Sequence, residues 1–211
     1  TAGLAVAKPP AGFGTPDMEI TLGTKHGQMR FDQEALAVAP GAKVKITLKN
    51  TCEMLHNWVL VKGGTGERDR VSGKALQLGA QSMVKHFVPD DPAIVASSQI
   101  AMPGKTVEVY FVAPKEEGDY PYVCTLPGHA FTMVGTLAVS KNPKGALNRL
   151  NKARPQVRAQ WPLLVTNKPL LQRAFVHNSP ARSICVGLPG GVNYLFDAET
   201  CAGQYGWTGA F

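Results

Sequence analysis

No apolar run in the 211-residue chain approaches the roughly 18 residues that a bilayer-spanning helix needs, so no transmembrane span is expected. The opening "TAGLAVAKPPAGFGTP" has neither a charged start nor an apolar stretch behind it, and so carries no export signal. A mature chain whose leader has gone and a domain cut from a longer protein would both look like this. No internal repeat is present. Acidic residues are scarce in one place only. Residues 1–140 hold 13 Lys and Arg against 13 Asp and Glu, whereas residues 141–211 hold 9 against 2, so the net charge of +7 belongs to the tail. Those tail charges have few aromatics among them and match no nucleic-acid motif, which makes a solvated or docking face the reading rather than RNA or DNA binding. Cysteine is sparse as well, at positions 52, 124, 185 and 201. With Cys124 used as a ligand, three would remain and could not all pair. Cys185 and Cys201 either close a disulfide or stay as buried thiols.

What is present reads as β structure. "DMEITL" sets Met18, Ile20 and Leu22 on one face, and "QMRFD" follows with Met29 and Phe31. "KVKITLKN" alternates most cleanly, with Val44, Ile46 and Leu48 inward and lysines and Thr47 outward, so one sheet face meets water. "HNWVLV" is apolar on both faces, as a strand covered on both sides would be. From Lys62 to Lys105 the pattern dissolves, with a short helix expected around Ser72 to Met83 and the loop "VPDDPAIVASSQIAMPGKT". "TVEVYFVAP", "GDYPYVC" and "VGTLAVS" then resume the strands. Short strands separated by Pro and Gly turns, with no alternating helices, indicate an all-β antiparallel sandwich. Beyond Ser140 lies a basic linker, 141–160, able to hold a helical turn or two. Further short strands follow in "PLLVT", "LQRAFV", "SICVGL" and "VNYLF".

The stretch "YVCTLPGHAFTMVGTL" packs Cys124, His129 and Met133 at a Cys-x4-His-x3-Met spacing. The Pro and Gly between the first two allow a tight departure from a strand, and a four-residue step would set His129 and Met133 on one side of a helical turn. A trigonal copper site needs one more imidazole, and His56 in "LHNWVLV" supplies it. A thiolate, two imidazoles and a weak thioether suit copper in both oxidation states. Singly, each residue reads more plainly: Cys124 as a buried thiol, His56 as a core histidine, Met133 as core filler. In order, with the turn between them, they read as ligands. His26, His86 and His177 lack neighbours at ligand spacing and read as surface or core residues. Met18, Met29, Met54, Met83 and Met102 read mostly as core.

At these motifs, "HNWVL" and "CT-x-PGH-x3-M", the chain resembles the azurin and auracyanin group of cupredoxins over roughly residues 17–140. The resemblance implies a Greek-key β-sandwich of about 7–8 strands with a long insertion carrying a short helix, to which the tail's own strand-like stretches add a small β-rich C-terminal extension. It implies one type 1 copper ion held by His56, Cys124, His129 and Met133. Asn57 matches the asparagine that ties the two ligand loops together. Azurins carry glycine before the first histidine, where this chain has Leu55, so a four-ligand, auracyanin-like site is expected. Met54 matches a methionine at the copper end, and Leu126, Pro127 and Phe131 are expected to frame an apolar electron-transfer patch. The organisation expected is a leader at 1–16, the copper domain at 17–140, the linker at 141–160, and an extension at 161–211 that belongs to a larger protein or simply packs on the sandwich.

Gly128 stands where a dinuclear centre would need its second cysteine, and the His-x-His and His-Cys-His runs of multicopper oxidases are absent. No acid or base accompanies an open metal position, so an electron carrier rather than an enzyme is expected. The electron would pass through the edge of His129, between redox partners such as a c-type cytochrome or a terminal reductase or oxidase, outside the cytoplasm in the periplasm or its equivalent. Two alternatives stand beside it: copper storage or delivery, and a redox module of a larger oxidoreductase.

Overall fold

In a computed structural model, the structure describes residues 9–25 and 28–153 together with the backbone of three later strands. The strands are β1 (Met18–Gly23), β2 (Ala35–Val38), β3 (Lys43–Lys49), β4 (Val59–Val61), β5 (Ile94–Ser97), β6 (Thr106–Val112), β7 (Gly118–Val123) and β8 (Val134–Val139). β9 (Phe175–Asn178), β10 (Ser183–Leu188) and β11 (Val192–Asp197) come after them. Helix α1 spans Gly64–Leu76 and α2 spans 143–153. Contacts divide the chain into two compact units, Thr1–Asn151 and Lys152–Phe211.

The first unit is a sandwich of two sheets, ordered β1-β3-β6 and β2-β8-β7-β4-β5. β3 and β6 pair antiparallel with Val44 opposite Phe111, Ile46 opposite Val109 and Leu48 opposite Val107, and all six point into the core. Their other faces meet water, where Lys45 pairs with Glu108 at 3.0 Å and lies over the Tyr110 ring. The expected all-antiparallel pairing is corrected at two places, since β1 runs parallel to β3 and β2 parallel to β8. Successive strands cross between the sheets here, so sheet neighbours need not be joined by hairpins.

β4 is buried on both sides for a visible reason. Trp58 and Leu60 face the central core, while Val59 and Val61 meet Val71 of α1 together with Ala93 and Val123. The helix begins earlier than its sequence suggests. Glycines at 63, 64, 66 and 73 mask it, and side chains beyond the helix hold it. The buried carboxylate of Asp91 accepts two hydrogen bonds from Arg70 at 2.6 and 2.8 Å and one from Lys74 at 2.6 Å.

"QMRFD" is not a strand: Phe31 forms only a single bridge to Thr24, although its ring is fully buried. The structure adds β2, whose alternation its alanines hide, and β5, a four-residue strand inside a Pro-rich loop. The methionines depart further from expectation. Met54, Met83 and Met102 are exposed, since they sit in turns where strand period has no bearing on burial.

The basic stretch after Ser140 forms α2, pinned to the base of the sandwich by a two-bonded pair between Arg149 and Asp119. In the second unit β9, β10 and β11 make an antiparallel meander. "PLLVT" and the pairing of Cys185 with Cys201 lie outside the described residues. Among the described residues no helix is long and apolar enough to cross a membrane.

Candidate metal centre

Alternation along β7 turns Tyr120, Tyr122 and then Cys124 toward the core at one end of the sandwich. The chain leaves the strand through Leu126 and Pro127 and reverses at Gly128, whose φ of 81° lies in the left-handed region where a side chain would strain the backbone. The His129 amide bonds to the Leu126 carbonyl at 3.0 Å, a single 3-10 turn spans His129–Phe131, and the Met133 amide returns to the His129 carbonyl at 2.8 Å. That places Met133, fully buried, beside Cys124, whose amide donates to the Met133 carbonyl at 3.0 Å. In the segment leading into the neighbouring β4, His56 is fixed by a two-way bridge to Ala101, at 3.2 and 2.7 Å.

His56, Cys124 and His129 form a buried cluster whose donor atoms all lie within 4.8 Å of one another. Both imidazoles turn Nδ1 toward the sulfur, at 4.0 Å from His56 and 3.4 Å from His129. Nε2 of His56 is buried with no partner, so a proton held there leaves the Nδ1 lone pair facing the sulfur. Burial, with a smaller effect from His129, lowers the His56 pKa to about 4, and burial lowers His129 also. Both rings are therefore neutral at pH 7. Burial pushes the Cys124 thiol up to about 12, opposed by hydrogen bonds from the backbone of Asn57 and Leu126 that favour the thiolate. A desolvated sulfur with amide donors but no cationic neighbour is well suited to a soft metal ion, which would displace its proton. The donor set, one sulfur and two imidazole nitrogens with a buried thioether nearby, fits copper.

The expected tie between the ligand loops is present and reciprocal. Asn57 Nδ2 donates to Thr125 Oγ1 at 2.8 Å, while the Thr125 amide donates to Asn57 Oδ1 at 2.8 Å. The Thr125 hydroxyl, whose role no motif in the sequence marks, donates onward to the Phe87 carbonyl at 2.6 Å. His86 is partly buried and contributes its carbonyl, which accepts from Asn57 Nδ2 at 2.8 Å. Backbone acceptors in a loop leave no mark in a sequence. Around the site Met54, Pro127 and Phe131 are exposed, but Leu126 is buried in the core and does not frame a surface patch. Leu55 is partly buried against the same core. His26 and the side chain of His177 lie outside the described residues.

Residues 18–140 match the model of copper binding proteins, plastocyanin/azurin family. The chain is 38% identical to auracyanin-A of Chloroflexus aurantiacus over 129 residues, covering 60% of this chain and 77% of that protein. It is 32% identical to the azurin of Bordetella pertussis over 118 residues, covering 52% and 76% respectively. Among solved structures, auracyanin A, described as a "blue" copper protein from Chloroflexus aurantiacus, superposes with a TM-score of 0.54 at 39% identity, over 58% of this chain and 98% of that one. Reduced auracyanin from Roseiflexus castenholzii superposes with a TM-score of 0.54 at 29% identity, over 60% and 99%. With a sandwich of this topology closing a His, Cys, His cluster at one end, the chain belongs to the plastocyanin/azurin family of copper-binding proteins, the blue copper electron carriers.

Proposed function

We propose that the chain carries single electrons between redox proteins outside the cytoplasm, with His56 Nδ1, Cys124 Sγ, His129 Nδ1 and the Met133 thioether as the copper ligands. The observation that carries the ligand assignment is the convergence on the Cys124 sulfur of two Nδ1 atoms, one from His56 ahead of β4 and one from His129 in the turn after β7. Bound copper supplies a one-electron couple. The protein's part is to hold the donors still, so that little reorganises when charge arrives. His56 is locked by the Ala101 bridge, and Cys124 by two backbone donors and its own pairing with Met133. The closed core keeps water from the sulfur, and the donors are tied into a backbone network, which disfavours the storage and delivery reading. Of the two imidazoles, His56 is wholly buried and His129 is 7% exposed, so the route to a partner runs through His129, flanked by exposed Pro127, Gly128 and Phe131.

Voltammetry of the copper-loaded protein tests the proposal. A reversible one-electron wave and an intense visible thiolate-to-copper band are expected, and Cys124→Ala removes both. A visible band that survives this substitution would overturn the ligand assignment.

A further inference from the structure

Asn57 and Thr125 are buried, and their side-chain polar atoms form a closed set. Asn57 Nδ2 donates to Thr125 Oγ1 and to the His86 carbonyl, Asn57 Oδ1 accepts from the Thr125 amide, and Thr125 Oγ1 donates to the Phe87 carbonyl. Two of these partners come from one turn in the insertion between β4 and β5. Among the described residues, His86 at φ 54° and Phe87 at φ 57° are the non-glycine residues with positive φ. Phe87, a bulky residue, is a genuine outlier in that region, and such strain persists only where the surroundings over-determine it. Here they do. The amides of Lys85, His86, Phe87 and Val88 bond to the carbonyls of Gln81, Met83, Ser82 and Lys85 at 2.7 to 3.1 Å, and Phe87 packs against the central core. The left-handed pair also has a geometric use. Successive carbonyls in an extended chain point opposite ways, whereas two residues in a helical conformation send them the same way. Both can then reach one polar cluster.

We propose that the His86–Phe87 turn is a positioning element of the metal centre: its two carbonyls hold the Asn57 and Thr125 side chains, and through them the backbone next to His56 and Cys124. The inference rests on the copper reading above for its electrochemical consequence, and on the protein alone for its mechanical one. Amide donors to a thiolate stabilise the more electron-rich, reduced site, so loosening them lowers the potential. A residue more than thirty positions from Cys124 thereby tunes it.

Two substitutions separate backbone geometry from ring packing. Phe87→Val keeps an apolar side chain but resists positive φ, whereas Phe87→Asn removes the ring and tolerates it. In the copper-loaded protein Phe87→Val is expected to change the oxidised-to-reduced ratio at a fixed applied potential by roughly ten-fold toward oxidised, about 59 mV for one electron. Phe87→Asn is expected to change it less than about two-fold. In metal-free protein, hydrogen exchange at the Thr125 and Leu126 amides should quicken by roughly ten-fold in Phe87→Val and stay near wild type in Phe87→Asn. Equal effects of the two variants on exchange, or no effect of either, would overturn the proposal. Should Phe87→Val not fold, Thr125→Val against Thr125→Ser asks the same question: the serine retains the hydroxyl link and should restore the potential and exchange that the valine loses. Equal behaviour of that pair also overturns it. Failure to bind copper would refute the proposed function, while the exchange measurements would still judge the turn.

Discussion

Gly135, in β8, stands opposite Tyr122 of β7 and leaves no room for a side chain. A Cβ built there would lie 2.1 Å from Cζ, 2.3 Å from Oη and 2.4 Å from Cε2 of the tyrosine, each far inside van der Waals contact. The ring cannot simply step aside. It is fully buried, with Phe31 at 5.3 Å on an edge and Trp58 at 5.9 Å, and its hydroxyl donates to the Gln33 carbonyl at 2.7 Å. Gly135→Ala must therefore displace the ring by more than an ångström, at an overpacking cost of about 1–3 kcal/mol. Loss of the hydroxyl bond adds about 1 kcal/mol. A total of about 2–4 kcal/mol lowers the melting temperature by roughly 10 °C in a domain of this size. Thermal unfolding of the metal-free protein followed by circular dichroism measures this. Combining Gly135→Ala with Tyr122→Leu should recover most of the loss caused by the alanine, because the clash has been removed. A melting temperature within about 1 °C of wild type for Gly135→Ala alone would refute the reasoning. Tyr122 lies two residues before Cys124 on the same face, so the visible band of the copper-loaded variant should shift as well.

Three further outcomes are expected. The Asp91 carboxyl lies well below the usual carboxylate range because Arg70, then Lys74 and the Ala93 amide, stabilise its charge. The folded state thus resists protonation at this group, and its stabilisation is complete above the ordinary value of 3.8 and fades as pH falls below it. The gap in urea midpoint between wild type and Asp91→Asn should stay constant from about pH 7 to 5 and narrow below about pH 4; a gap unchanged in acid would contradict this. Asn50 is buried, donates to the carbonyls of Met54 and Ala101 at 2.7 and 2.8 Å, and accepts from Thr24 Oγ1 and the Cys52 amide. Asn50→Ala strands these groups and should cost about 2–4 kcal/mol by denaturant unfolding, while a loss under about 0.5 kcal/mol would count against the network. Met133→Leu should keep the visible band but raise the potential, since removing a weak donor disfavours the oxidised ion; an unchanged potential would argue against the thioether as a ligand.

The sequence shows the His, Cys, His donor set because its chemistry resides in side chains of rare type, Cys124 and His129 at short spacing and His56 in its own motif upstream. The β3 and β6 strands are equally plain, since Val44, Ile46, Leu48 and their partners alternate strictly against a wet outer face. α1 begins ahead of the expected Ser72 because its glycines argue against a helix that packing of its Val71 and ion pairing to Asp91 sustain. β5 was concealed in a loop, and the exposure of Met54, Met83 and Met102 follows from turns rather than from any period. The hidden part of the site is its backbone: the carbonyls of His86 and Phe87 and the amides behind Cys124 are common to every residue type. Only the fold chooses which of them face Asn57 and Thr125. Gly135 is a similar case, ordinary in the string and indispensable once Tyr122 is seen to lie across it.

X-ray absorption at the copper edge of the loaded protein tests the central claim most directly. One close sulfur and two imidazole nitrogens are expected around a single copper ion, with the sulfur absent after Cys124→Ala. A copper environment of nitrogen and oxygen alone in the unsubstituted protein would contradict the account.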